Sequence, residues 1–127
     1  MRLLIDTNIL TDALRGKPNV VYLVQRAAEV FVPFICLAEI KAGFLCGNRV
    51  PENERLLHQF LSEPDVRVSY PDQETTEVYA RLFAQLRRAG TPIPTNDIWI
   101  ASLGVQHHLT LLTRDEHFDK LPQLMRP

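Results

Sequence analysis

"LLIDTNIL", residues 3–10, is an apolar run broken by one carboxylate, Asp6. Leu3, Leu4 and Ile5 followed by Asp, Thr and Asn fit a buried strand ended by turn formers. The next residues, "ILTDALRG" (9–16), fit a short helix closed by Gly16. An unbroken apolar strand running straight into a helix suits a parallel sheet covered on both faces. Such sheets place their sites at the carboxyl edge of the strands, which is where Asp6 would stand.

The same grammar continues along the chain. "NVVYLVQRAA" (19–28) has helical apolar spacing, and "EVFVP" (29–33) reads as a second short strand. "FICLAEIKAGFLCG" (34–47) resumes as a helix stopped at Gly47. "PENERLLHQFLSEP" (51–64) puts Leu56, Leu57, Phe60 and Leu61 on one face of an amphipathic helix, and "DVRVSYP" (65–71) alternates like a partly exposed strand. "DQETTEVYARLFAQLRRAG" (72–90) carries the stripe Val78, Tyr79, Leu82, Phe83 and Leu86, with Arg81 and Arg88 outside it and Gly90 at its end. The proline-stiffened "TPIPTND" (91–97) delivers Thr95 or Asn96 as the N-cap of a helix over "DIWIASLGVQHH" (97–108). "LTLLT" (109–113) is a strand, "RDEHFDKLP" (114–122) a polar turn, and "QLMRP" (123–127) a short edge strand. The fold class expected is α/β, a parallel twisted sheet of about four to five strands flanked by helices in three layers.

Bulk properties narrow the function. A chain of 127 residues with 46% hydrophobic and 23% charged residues is expected to form one globular domain. Fourteen Lys and Arg against fifteen Asp and Glu give a net charge of -1, so a polyanionic partner must be held by local basic clusters or by metal ions. Cys36 and Cys46 lie in apolar stretches without a CxxC companion, so both read as reduced and buried. Asp6 interrupts the first apolar run before it can act as a secretory segment. The longest later run, "VFVPFICLA", is far short of the ~20 residues of a membrane span, which points to a cytoplasmic protein.

Helix and strand rises bring further acids to Asp6. From Asp97 a helix carries the chain about 15 Å away to His107. The strand from Leu109 to Asp115 returns roughly 20 Å. Asp97 and Asp115 therefore end at one edge, and Asp115 stands beside Asp6 if "LTLLT" lies parallel to "LLID". Glu39, one turn into its helix, is either a solvated acid or an inward one. Each acid also has an ordinary role: Asp6 and Asp115 as turn or cap residues, Asp97 as a helix-start acid. Several carboxylates at one apolar edge nevertheless repel unless a cation neutralises them. Hard oxygen donors without cysteine point to Mg²⁺ or Mn²⁺.

With those residues in view, the chain resembles the PIN-domain ribonucleases, most closely the VapC-type toxins of toxin–antitoxin pairs. "LLIDTNIL", "LAEIKAG" near 40, "NDIWIAS" near 100 and "LLTRDEHF" near 115 stand in the family's order and approximate spacing across residues 1–127. The resemblance implies metal-binding acids at Asp6, Glu39, Asp97 and Asp115. Asp6 and Asp97 would be the main ligands, Asp115 a shared one, and Glu39 a ligand through water. It also implies carboxylate-orienting residues at Asn8 and Thr113. Where some members carry another acid, two residues after Asp115, this chain has His117.

The chemistry implied is metal-assisted hydrolysis of an RNA phosphodiester. Arg114 and the group Arg81, Arg87 and Arg88 are candidate phosphate contacts. The family's partners are a second copy of the chain and a small antitoxin protein. The amphipathic "NERLLHQFL" is a candidate wall for a groove holding a partner helix. Two other classes stay open. "DTN" is similar to the DxD strand end of aspartyl-phosphate phosphatases, although Asn8 lacks the second acid that mechanism needs. A non-catalytic metal- or protein-binding module is the other. The adjacent His107 and His108 point in different directions on a helix and make no zinc site.

Overall fold

The computed structural model describes residues 1–127. In chain order the elements are β1 (Arg2–Ile5), α1 (Thr7–Leu14), α2 (Pro18–Arg26), β2 (Glu29–Pro33), α3 (Phe34–Leu45), α4 (Val50–Leu61), β3 (Val66–Ser69), α5 (Gln73–Ala89), α6 (Thr95–His107) and β4 (Thr110–Leu112). A 3₁₀ turn over Glu116–Lys120 follows. The four strands form one sheet in the order β3-β2-β1-β4, every pair parallel, flanked by six helices. This is the expected α/β class.

The order explains why β1 is the most apolar strand. It pairs with β2 on one side and β4 on the other, and Leu3, Leu4 and Ile5 have no exposed surface. They belong to a core of 25 buried apolar residues that includes Val30 and Val32 of β2, Leu82 and Leu86 of α5, and Ile98, Ile100 and Leu103 of α6. β3, at the edge, leaves Arg67 exposed to reach Glu29 at 2.8 Å.

Helix α6 runs back across the sheet as the rise arithmetic requires. Arg2, at the start of β1, donates to the His107 carbonyl at 2.9 Å. Asp97, at the other end of α6, therefore lies toward the carboxyl edge of the strands. Gly104 allows a close approach here, because a Cβ at that position would meet Leu124 Cδ2 at 3.2 Å and Leu4 Cδ2 at 3.4 Å. Helix α5 is fastened to α6 at its start. Asp72 and Thr75 form a capping box, and the fully buried Thr75 hydroxyl also bonds to Gln106 Oε1 at 2.5 Å.

Several local expectations give way to physical detail. The N-cap of α6 is Pro94, not Thr95 or Asn96, because its carbonyl accepts from Asp97 N at 3.0 Å and Ile98 N at 3.2 Å. Helix α3 ends at Leu45, before Gly47, and this leaves Cys46 exposed while Cys36 is buried. Phe83 is 40% exposed and leaves the α5 stripe. "RDEHFDKLP" is anchored by Phe118, only 1% exposed. The expected tail strand is a single parallel bridge between Thr110 and Met125, with Leu111 N donating to the Met125 carbonyl at 2.8 Å. No helix is long and apolar enough to cross a membrane.

Candidate active site

Asp6 follows the last residue of β1 and is 5% exposed. Its Oδ1 accepts from Ile9 N at 3.0 Å and so caps α1. Its Oδ2 accepts from the Thr113 hydroxyl, which extends from the end of the adjacent β4. Thr113 Oγ1 in turn accepts from Asp115 N at 2.9 Å. The parallel pairing of Ile5 with Leu112 puts these residues side by side. Asp6 thus serves as a helix cap and as a member of a cross-strand network.

His117 joins the other two acids. Its Nδ1 lies 2.8 Å from Asp97 Oδ2 and 3.1 Å from Asp115 Oδ1. Asp115 Oδ1 also accepts from His117 N at 2.9 Å, which starts the 3₁₀ turn. Asp97 has no capping bond to make, since the Pro94 carbonyl starts the helix, and its carboxylate is directed to His117 instead. Glu39 is exposed on α3, and its Oε1 accepts from the Thr7 hydroxyl at 2.7 Å, which draws it toward the residue after Asp6. Asn8 is exposed and bonds to none of the acids, so Thr7 has the orienting contact that the sequence reading gave to Asn8. Asn8 is an amide, so the phosphatase alternative lacks its second acid.

The electrostatics follow from this crowding. Burial pushes the Asp6 carboxyl above the ordinary aspartate value of 3.8; bonds from Thr113 and Ile9 pull it down, and the Asp115 charge adds to the rise. Asp97 is also raised, first by burial, against the lowering bond to His117, with Asp115 and Glu39 adding repulsion. Beneath them the Cys36 thiol is pushed up to about 12, mainly by burial, while Glu39, Asp6 and Asp97 all repel its thiolate.

Two contacts had escaped the sequence reading. Asp12 on α1 is 3% exposed and pairs with Arg114 at 2.8 Å and Lys17 at 3.3 Å. Arg114 is therefore held by an acid next to the site. The clue was available: Asp12 is three residues after the buried Ile9 and shares its helical face. The Thr7 to Glu39 bond had no such local signal. Arg81, Arg87 and Arg88 are exposed on α5 and make no bond to the acids.

The donor set fits a divalent cation. It offers carboxylate oxygens and one imidazole, with Asp97, Asp115 and His117 each presenting a ligand atom within 4.8 Å of the others. Repulsion among the acids is relieved by any cation they share.

The arrangement has counterparts among known proteins. The chain is 32% identical to the protein named toxin FitB of Neisseria gonorrhoeae over 121 residues, covering 89% of this chain and 87% of that one. It is 28% identical to ribonuclease VapC2 of Rickettsia felis over 127 residues, covering 96% and 93%. In structure it superimposes on a chain of Rickettsia felis VapBC2 bound to a promoter DNA fragment with a TM-score of 0.86 and 26% identity, covering 100% and 98%. The PIN domain family pattern matches residues 3–124. The chain belongs to the PIN-domain family.

Proposed function

We propose that residues 1–127 act as one PIN-like domain: a divalent-metal-dependent endoribonuclease, the toxin of a VapBC-type toxin–antitoxin pair. The observation that carries this reading is the convergence of Asp6, Glu39, Asp97 and Asp115 at the carboxyl edge of a parallel sheet, linked through Thr113, Thr7 and His117. Support also comes from relatives named as a ribonuclease and a toxin.

Asp6, Asp97 and Asp115 would hold Mg²⁺ or Mn²⁺, and Glu39 would orient water beside it. An ion held there would supply Lewis acidity, which would make water a better nucleophile near neutral pH and offset charge on the phosphate. Thr113 holds Asp6 in place, and the Thr7 hydroxyl fixes Glu39. Arg114, anchored on Asp12, keeps a positive charge at the rim where an RNA phosphate would approach. No side chain becomes covalently bonded to the RNA.

The partners in this reading are RNA, a second copy of the chain and a small antitoxin, in the cytoplasm. A cavity of about 360 Å³ runs from Thr7 and Glu39 to Leu14, Phe44 and Leu56. It would take the antitoxin's apolar side chains, with a basic residue reaching the acids. The solved Rickettsia felis relative is a VapBC assembly.

The test is cleavage of single-stranded RNA with Mg²⁺ or Mn²⁺ and with excess chelator. Activity should need the ion and disappear in Asp6→Asn and Asp97→Asn variants that retain native circular dichroism. Undiminished cleavage in chelator would refute the metal mechanism.

A further inference from the structure

Among the acids, His117 is the residue whose chemistry differs. Its Nδ1 is 2.8 Å from Asp97 Oδ2 and 3.1 Å from Asp115 Oδ1. Two donors at right angles on an ion with ~2.1 Å bonds stand ~3 Å apart, so these separations already match neighbouring ligand positions. The backbone that carries the ring is also held in place. The His117 backbone N–H bonds to Asp115 Oδ1, and the next residue, Phe118, anchors the turn in the core. The His117 side chain remains 43% exposed, which leaves a path for an ion and its waters.

We propose that His117 is a metal ligand, its Nδ1 binding alongside Asp97 and Asp115, and that it biases this site toward Mn²⁺ over Mg²⁺. This rests on the metal-nuclease reading and deepens it. Mg²⁺ is a hard ion that takes oxygen and keeps its waters, whereas first-row transition ions accept imidazole. An acid in this place would favour Mg²⁺. An imidazole shifts the balance without changing the net reaction.

The competing account makes His117 a counter-charge that bridges two carboxylates and must be displaced by an incoming ion. The two accounts differ in sign. If His117 is a ligand, His117→Ala weakens Mn²⁺ binding; if it is a blocking counter-charge, the same change strengthens it.

The experiment is titration of the full chain with MnCl₂ and with MgCl₂ by calorimetry, for the wild type, His117→Ala, His117→Asp and Asp97→Asn. Pulsed electron paramagnetic resonance of the Mn²⁺-loaded wild type accompanies it. His117→Ala should lose about tenfold or more in Mn²⁺ affinity with little change for Mg²⁺. His117→Asp should move the Mn²⁺ to Mg²⁺ affinity ratio toward Mg²⁺. The wild-type Mn²⁺ signal should carry a directly bonded ¹⁴N coupling that ¹⁵N-histidine labelling changes and His117→Ala removes. If His117→Ala fails to fold, loss of the coupling in His117→Asp makes the same assignment among the four histidines. Equal or tighter Mn²⁺ binding in His117→Ala, or a wild-type signal without nitrogen coupling, overturns the proposal. Binding that depends on Asp97 but not His117 removes this inference alone. Absence of any divalent-ion binding removes the metal-nuclease reading with it.

Discussion

Thr113 donates its hydroxyl hydrogen to Oδ2 of Asp6 across 107 residues of sequence, joining the ends of two neighbouring strands. Thr113→Val removes this donor from a buried carboxylate and deprives Asp115 N of its acceptor. A hydrogen bond to a charged group contributes about 1.5–3 kcal/mol, so chemical denaturation should show a loss in that range. Thr113→Ser should retain most of the stability and cleavage rate. A loss in Thr113→Ser with none in Thr113→Val would mean that the methyl group, not the hydroxyl, matters.

The raised Asp6 and Asp97 carboxyls make the metal-free protein sensitive to pH in an unusual direction. The folded state binds these protons more tightly than the unfolded chain, whose ordinary value is 3.8. Their stabilising contribution is complete below that value and is lost as pH rises through the folded-state values. Asp72 is lowered, first by its bond to Gln106, so its contribution changes only below 3.8 and in the opposite sense. In chelator, the melting temperature should therefore fall as the pH rises above 3.8 through the raised folded-state values. Asp97→Asn should flatten that slope and be at least as stable as wild type near neutrality. A clearly lower metal-free melting temperature for Asp97→Asn would show that its bond to His117 outweighs burial and repulsion.

Arg114→Ala leaves the buried Asp12 with Lys17 as its remaining cation. Removing one partner of a fully buried pair costs several kcal/mol, but the Arg114 side chain is 56% exposed and screened, so about 1–2 kcal/mol is expected. Arg114 also holds down the Asp6 proton affinity. Its loss should move the acidic limb of the cleavage profile to higher pH. A stability loss without that pH shift would limit Arg114 to a structural role.

Thr75→Val tests the joint between α5 and α6. It removes the capping-box partner of Asp72 and the donor to Gln106 from a position with no exposed surface. The cost should be about 1–3 kcal/mol by urea denaturation. Divalent-ion affinity should remain unchanged, because the joint lies at the opposite end of α6 from Asp97.

The bounds of β2 and the meeting of Asp97 with Asp115 are legible because both depend on short-range properties. "EVFVP" is read as a strand over the same residues the fold uses, Glu29–Pro33. The outward helix and returning strand place Asp97 and Asp115 together from rise per residue alone. Contacts chosen by the tertiary fold were hidden. A Pro94 carbonyl cap carries no side-chain signature, and the Thr7 hydroxyl finds Glu39 across 32 residues with no local pattern to announce it. Phe83 shows the limit of periodicity, since the apolar stripe on α5 is wider than the surface that covers it. Cys46 shows another: an apolar neighbourhood in sequence becomes exposed one residue beyond a helix end.

The inner position of β1 controls when the site can exist during synthesis. Of the four strands β1 comes first in sequence; it is completed on one side by β2 but waits on the other for β4, the last of them. Parallel pairing over such a separation is a late folding event. Until Thr113, Asp115 and His117 leave the ribosome, Asp6 has no cross-strand partner and the acids have no common centre. A chain that stops before Thr113 lacks the bond that holds Asp6, so in the proposed reading the event that closes the sheet also assembles the ribonuclease site.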